Sequence, residues 1–468
     1  METLRFVSTH TLPAFVRGVA SARPGVVKTY AALRQPAWST ATLRAMKRRY
    51  GGAPVLVRGL SGPVLVLLDR AEVEQFYAEP VRTLAMDAPD KHRSLSVFEP
   101  TGVICSRGDL REQRREINDR VLTAGQPVHP SCAPFLAAVR EEVRSLTAGR
   151  VLDRATLQRT ASRLGRRIVL GDAAADDQQL ADGLFALRRE ANWMGLRKGR
   201  ARGVAAQYAQ VDARLAEYAA SAAGHTLVGR ARQCPDPTGT IDPIGQAHHW
   251  LLALDLVGPI LCHVLLLLAA HPAEQHAAWA EVAEAGPSTG GLLGGAPDAT
   301  GGGDGDAAGD GAAGAGTAGR GGAGHEGGLP RVRACVQEAL RLFPPVPDLV
   351  RETRAETVWR GVTHPAGTTV LLPAAFHQRD PDQVPGGHLF VPARWLAPEA
   401  RHDRVMAPFS HGGGGCPGED LGLMVLTALV AEILRGHRVT GGRPVLDVHR
   451  PLPGSVDLPA LRLGIVPR

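Results

Sequence analysis

Apolar positions along the chain fall into distinct regimes. Near the start, two short β-forming runs, residues 54–57 (PVLV) and 64–68 (VLVLL), flank Gly59-Leu60-Ser61-Gly62 and so predict a hairpin. From about residue 107 to 285, apolar residues recur at helical spacing among Ala, Arg, Glu and Gln, which predicts a long α-rich region. Its most apolar stretch, residues 250–270, is long enough to test as a membrane helix, but it holds Asp255, Pro259 and His263. A mid-membrane Asp costs roughly 2.5–3.5 kcal/mol on the insertion scale, so a buried core helix fits better. Pro259 has no N–H, so the Asp255 carbonyl loses its helical donor and a kink is expected there. Further on, the pattern predicts a helix over 331–342, short strands near 357–360 and 368–372, and a last helix over 417–435. The implied class is mainly α with small β-sheets, in one large domain over residues 1–468.

Composition changes this picture at one place. Residues 286–328 hold 19 glycines in 43 positions, too few apolar groups to offset the entropy of ordering them, so a disordered loop inserted within the domain is expected. The net charge of +7 is carried by arginines spread along the chain, with lysine only at 28, 47, 91 and 198, a pattern unlike a nucleic-acid surface. Six cysteines show no C-x-x-C and no zinc-type spacing. The first twenty residues lack a sustained apolar signal region, and a cytoplasmic, non-membrane protein is the expectation.

The chemistry concentrates around one cysteine. Phe409-Ser410-His411 is followed by four glycines, then Cys416-Pro417-Gly418-Glu419-Asp420 and an apolar-periodic run. Proline and two acids suit a helix start, so Cys416 is expected at a helix N-terminus, where unpaired N–H groups favour a thiolate. The glycines let the backbone approach a flat partner closely. This suits an axial thiolate on haem iron, but a buried cysteine beside a loop fits the segment equally well. A second set of residues separates the two readings. Glu338 and Arg341 sit at i and i+3 before Leu342-Phe343-Pro344-Pro345, and Phe390-Val391-Pro392-Ala393-Arg394-Trp395 follows before the cysteine segment.

E-x-x-R with a following P-P, then F-x-P-x-R-W, then F-x-x-G-x-x-x-C-x-G, in that order, resembles the cytochrome P450 family. The resemblance implies one domain of the P450 fold, haem b, and Cys416 as the iron ligand, with Phe409, His411, Gly412 and Gly418 around it. It further implies a buried network of Glu338, Arg341 and Arg394, and haem-carboxylate contacts from Arg114, in Leu110-x-x-x-Arg114, and Arg351. By the same resemblance the substrate pocket would draw on Phe98 and Val103, on Leu252, Leu256 and Val257, on Val346, Leu349 and Val350, and on Val456. These are apolar, which suggests a hydrophobic or partly polar substrate.

Two departures matter. Gly414 stands where the family has Arg or His, so one carboxylate partner is missing; His411 is either a partial substitute or a satisfied loop histidine, the second reading being favoured. In the central helix the family's [AG]-G-x-[DE]-T-[TS] is matched by Leu252-Ala253-Leu254-Asp255-Leu256-Val257, with the acid kept and the alcohol lost. Asp255 is therefore expected to act with its freed backbone carbonyl, holding water over the haem in place of the threonine, the alternative being that it simply pairs with a neighbouring arginine. The resemblance implies a monooxygenase of specialised metabolism fed by a ferredoxin and its reductase. The lost threonine favours an alternative, peroxide use or a coupling, cyclisation or rearrangement, and a third reading is a non-catalytic partner protein.

Overall fold

The computed structural model describes residues 2–18, 20–59, 62–194, 196–286 and 328–468. The glycine-rich segment expected at 286–328 lies, except at its two ends, outside them. The helices that frame the site are α1 (Arg70–Ala78), α2 (Pro89–Leu95), α3 (Gly108–Leu122), α4 (Arg154–Leu170) and α5 (Gln178–Ala191). They continue with α6 (Ala247–Asp255), α7 (Val257–Ala270), α8 (Pro330–Leu342) and α9 (Glu419–Gly436). The largest sheet has five strands, β1 (Val55–Arg58), β2 (Pro63–Val66), β3 (Leu84–Ala85), β4 (Leu349–Thr353) and β5 (Thr369–Leu372), in the order β1-β2-β5-β4-β3. Smaller sheets join Val151–Asp153, His437–Arg443 and Arg462–Pro467, and Thr357–Trp359 with Val362–His364. The architecture is mainly α with small sheets, as the periodicity implies.

The hairpin is present. β1 and β2 pair antiparallel with Val55 opposite Val66, and Val55 and Val57 are buried while Leu56 is exposed, the alternation of a half-covered strand. β2 pairs parallel with β5, which brings the start of the chain against the region after α8. β4 pairs antiparallel with β5, Leu349 opposite Leu372, and this places Arg351 inside the molecule.

The apolar stretch from 247 to 270 passes, by length and composition, as a membrane helix, but it runs through the interior of the fold and most of it is buried. It is broken between α6 and α7 at Leu256, four residues before the break's far side is re-established by the Ile260 N–H bonding the Leu256 carbonyl. The Asp255 carbonyl, deprived of a donor by Pro259, accepts from the Gln158 side chain of α4 at 3.1 Å. The kink therefore has the expected cause, and its free carbonyl is satisfied by a neighbouring helix.

Candidate functional site

Residues 409–418 form a tight turn before α9. The Phe409 carbonyl accepts from the Cys416 N–H at 2.9 Å and the Gly412 carbonyl from the Gly415 N–H at 3.0 Å. Gly412 has φ of 64°, and a Cβ there would strike the Tyr77 carbonyl, so glycine is required. Cys416 is accessible to solvent, yet burial is the main influence on its thiol and pushes the pKa up to about 11, against a smaller opposing effect of the Gly418 N–H. A side chain both accessible and strongly desolvated faces an interior space. The expectation of a lowered thiol pKa is thus corrected: α9 begins at Glu419, and the acids of its first turn raise the thiol further. Such a thiol keeps its proton until a metal cation displaces it.

Arginines converge on this turn. Arg351 is buried, stacks 4.2 Å from the Phe76 ring and donates from Nη1 to the Phe76 carbonyl at 3.0 Å, while its Nη2 has no partner. Burial lowers its pKa to about 10, and the like charge of Arg111 adds to this. A Cβ on Gly414 would collide with that guanidinium and with the Met86 sulfur. The space of the family's missing Arg or His is therefore filled by Arg351 itself. Arg111 donates to the Gly413 carbonyl at 3.0 Å and Arg115 to the Gly415 carbonyl at 2.7 Å, while Arg111 Nε is buried without a partner. Arg114, expected here, is instead bonded to the Ile241 and Thr240 carbonyls and the Ser106 hydroxyl at 2.7–2.9 Å. On α3 it is Arg111 and Arg115, not Arg114, that reach the turn. The i, i+4 spacing of Arg111 and Arg115 was the signal for this face of α3. His411 lies edge-on to the Tyr77 ring at 5.6 Å, and burial lowers its pKa.

On α6 and the residue after it, His249, Leu252, Ala253 and Leu256 are accessible and form one stripe at helical spacing, while Trp250, Leu251 and Leu254 are buried; Asp255 is partly accessible too. Leu252 and Leu256 thus share the face expected for them. Asp255 lies about a third of a turn around the helix from this stripe. Its carboxylate is taken by Arg188 of α5 at 2.6 Å and by the Ser162 hydroxyl of α4 at 2.7 Å. For the expected water-holding role this matters: an arginine and a serine on neighbouring helices hold the acid, the arrangement of the alternative in which Asp255 pairs with an arginine.

Of the other pocket positions, Val103, Leu349 and Val350 are partly accessible, Phe98, Val257 and Val456 are packed into the core, and Val346 is 54% exposed. Glu338 and Arg341 are fully buried and form two hydrogen bonds at 2.7–2.8 Å. Arg341 also donates to the Gln378, Gly387 and Leu389 carbonyls, and Glu338 accepts from the Val391 N–H, Arg394 Nε and Trp395 Nε1. Both oxygens of the carboxylate and all three guanidinium nitrogens of Arg341 have hydrogen-bond partners, which is what a buried ion pair needs to be tolerated.

Residues 327–455 match the family model described as Cytochrome P450. The chain is 34% identical over 125 residues to the cyclooctat-9-en-7-ol 5-monooxygenase of Streptomyces melanosporofaciens, 26% of this chain and 25% of that protein. It is 33% identical over 111 residues to cytochrome P450 4A10 of Mus musculus, 24% of this chain and 22% of that one. The aligned part thus spans about a quarter of these relatives' length. The whole fold is similar to the cyanobacterial CYP120A1 solved with retinoic acid (TM-score 0.67, 16% identity, 91% of this chain and 94% of that one). It is similar also to CYP102L1 (TM-score 0.69, 17% identity, 92% and 94%). Residues 327–455 thus match the cytochrome P450 family, and the chain as a whole has the fold of P450 structures. Haem is the prosthetic group of P450 proteins, and the residues present fit it: a thiol open to an interior space, a turn whose glycines leave no side chain in the way, and partnerless buried N–H donors on Arg351 and Arg111 for anionic groups.

Proposed function

We propose that this protein is a haem-thiolate monooxygenase that oxidises a small, largely apolar specialised metabolite, in the cytoplasm, with electrons from a ferredoxin-type partner. The observation that carries the reading is the accessible, desolvated Cys416 thiol on its glycine turn beside the partnerless guanidinium nitrogens. Bound haem would supply reductive cleavage of dioxygen, one oxygen atom entering the substrate and the other leaving as water. The chain's own part is to bind and orient. Cys416 would be the iron ligand, its proton released on binding, and Arg351 and Arg111 would hold the haem carboxylates. Leu252, Ala253 and Leu256 present an apolar surface that excludes water and suits a hydrocarbon skeleton. The terpenoid-alcohol name of the Streptomyces relative supports a substrate of that kind.

A second reading has a specific observation in its favour. Leu256 offers no hydroxyl and Asp255 is held by Arg188 and Ser162, so the chain presents no acid–alcohol pair for proton delivery on this stripe. That arrangement favours peroxide use, or a coupling, cyclisation or rearrangement in which the substrate's own polar group moves the proton. Cys416→Ser should abolish the thiolate-type Soret shift of the reduced carbon monoxide complex, and retention of that shift would refute the assignment. Product formed only with NADPH, a surrogate ferredoxin system and dioxygen supports the first reading, and product with peroxide alone supports the second.

A further inference from the structure

One group on the accessible stripe is not apolar. His249 is 35% exposed at its side chain, although Ala247, His248, Trp250 and Leu251 around it are buried. Its Nδ1 lies 2.6 Å from Oε2 of Glu99, whose side chain is completely buried. That contact makes Nδ1–H the donor and leaves Nε2 as the second ring nitrogen, which has no protein partner among the described residues. Two buried histidines differ from it. His129 and His377 are both buried and use both ring nitrogens, His129 on the Val121 carbonyl and the Ser131 N–H, His377 on the Leu67 carbonyl and Gln383.

Lys91 of α2 interacts electrostatically with Glu99, Cys105 and Asp87, and with Arg351, and makes no ion pair within 4 Å among the described residues; Asp87 is itself paired with Arg107 and Arg354. The charged groups that face His249 are Glu99 from the segment before α3 and Lys91 from α2. Burial, the largest influence on His249, would lower its pKa, but the charge and hydrogen bond of Glu99 outweigh it and the pKa is raised. Burial, helped by the like charge of Arg351, lowers Lys91 to about 8. With Asp87 held by Arg107 and Arg354, the two cations are left to Glu99, which itself has a buried, partnerless Oε1. An excess cation in a desolvated wall calls for an anion.

We propose that His249, oriented by Glu99 and reinforced by Lys91, is the anchor for a carboxylate on an otherwise apolar substrate. The inference rests on the haem-thiolate reading for the place where the substrate lies, and it narrows the substrate class to organic acids. His249 is seven residues, about 10 Å along the helix, before Leu256, so it binds the far end of a substrate whose apolar part lies along Leu252, Ala253 and Leu256.

The test is calorimetric titration of the haem-loaded protein with octanoate, octanol and octyltrimethylammonium, which share a tail and differ in charge. Octanoate should bind about tenfold or more tighter than octanol, with the ammonium weakest. That preference should fall as pH rises through the raised His249 pKa and the value near 8 of Lys91. His249→Gln should remove most of it, and Glu99→Gln, which takes away the charge that holds the imidazolium, should shift its loss to lower pH. Octanoate binding no tighter than octanol, or not binding at all, overturns the proposal, as does an unchanged preference in His249→Gln. Faster haem transfer to apomyoglobin in His249→Gln with the preference intact also overturns it, by placing His249 with the haem carboxylates. The carbon monoxide spectrum of the same samples reports on the haem-thiolate reading separately: its loss with the preference intact would sink that reading alone.

Discussion

At the scale of single residues, the unusual glycine two positions before Cys416 reads as an exchange rather than a loss. Gly414 leaves room that the Arg351 guanidinium fills, and Arg351 is held there by the Phe76 ring and carbonyl. Restoring the family's residue with Gly414→Arg should therefore not tighten haem binding. It would force two guanidiniums into one space and should speed haem transfer to apomyoglobin severalfold. Arg351→Met should do so by about tenfold or more, since a hydrogen bond involving a charged group contributes about 1.5–3 kcal/mol. Haem release unchanged in both variants would remove Arg351 from the haem contacts. Cys416 was legible in the sequence because its turn, its glycines and its helix start are contiguous. Arg111 was not, because which arginine of α3 meets that turn is decided by how the helix docks against residues 413–415.

At the scale of elements, the central helix shows how a local rule and a tertiary outcome combine. Proline chemistry alone foretold the break at Asp255, and the break is there. The sequence could not show what would meet the freed carbonyl and the acid, because Gln158, Ser162 and Arg188 come from helices about 70–100 residues earlier in the chain. The same blindness covers strands such as Val151–Asp153, which lack a clear alternating pattern and exist because Arg462–Pro467 pairs with them. Asp255 thus ties α6 to α4 and α5, and its partners are only partly exposed. Asp255→Asn should lower unfolding free energy in urea by about 1–3 kcal/mol while leaving the reduced carbon monoxide spectrum of the thiolate type. A variant of full stability that loses product formation alone would return Asp255 to the chemistry.

At the scale of the molecule, the two halves differ in how they disclose themselves. Residues 327–455 carry the family's sequence signature, whereas the N-terminal half joins the fold by packing and by strands β1 to β3 on the main sheet. One contact between the halves is pH-dependent. His10 Nε2 lies 3.4 Å from the Asp348 carboxylate, just before β4, with the ring stacked on Phe6. Burial acts against the charge of both groups, yet their mutual attraction prevails: His10 is raised above its ordinary 6.5 and Asp348 is held below its ordinary 3.8. Stabilisation from a raised histidine is complete below its unfolded value and is lost as pH rises through the folded one. That from a depressed carboxylate is complete above its unfolded value and is lost as pH falls through the folded one. Docking of residues 2–17 onto the C-terminal half should therefore be firmest between about pH 4 and 6.5 and should loosen towards alkaline pH. Hydrogen exchange of that segment should accelerate relative to α9 as pH rises past the His10 pKa, after correction for the intrinsic pH dependence of exchange. His10→Gln should weaken docking in the acidic range and flatten the profile, and an unchanged profile in that variant would show that the pair does not hold the N-terminal segment in place.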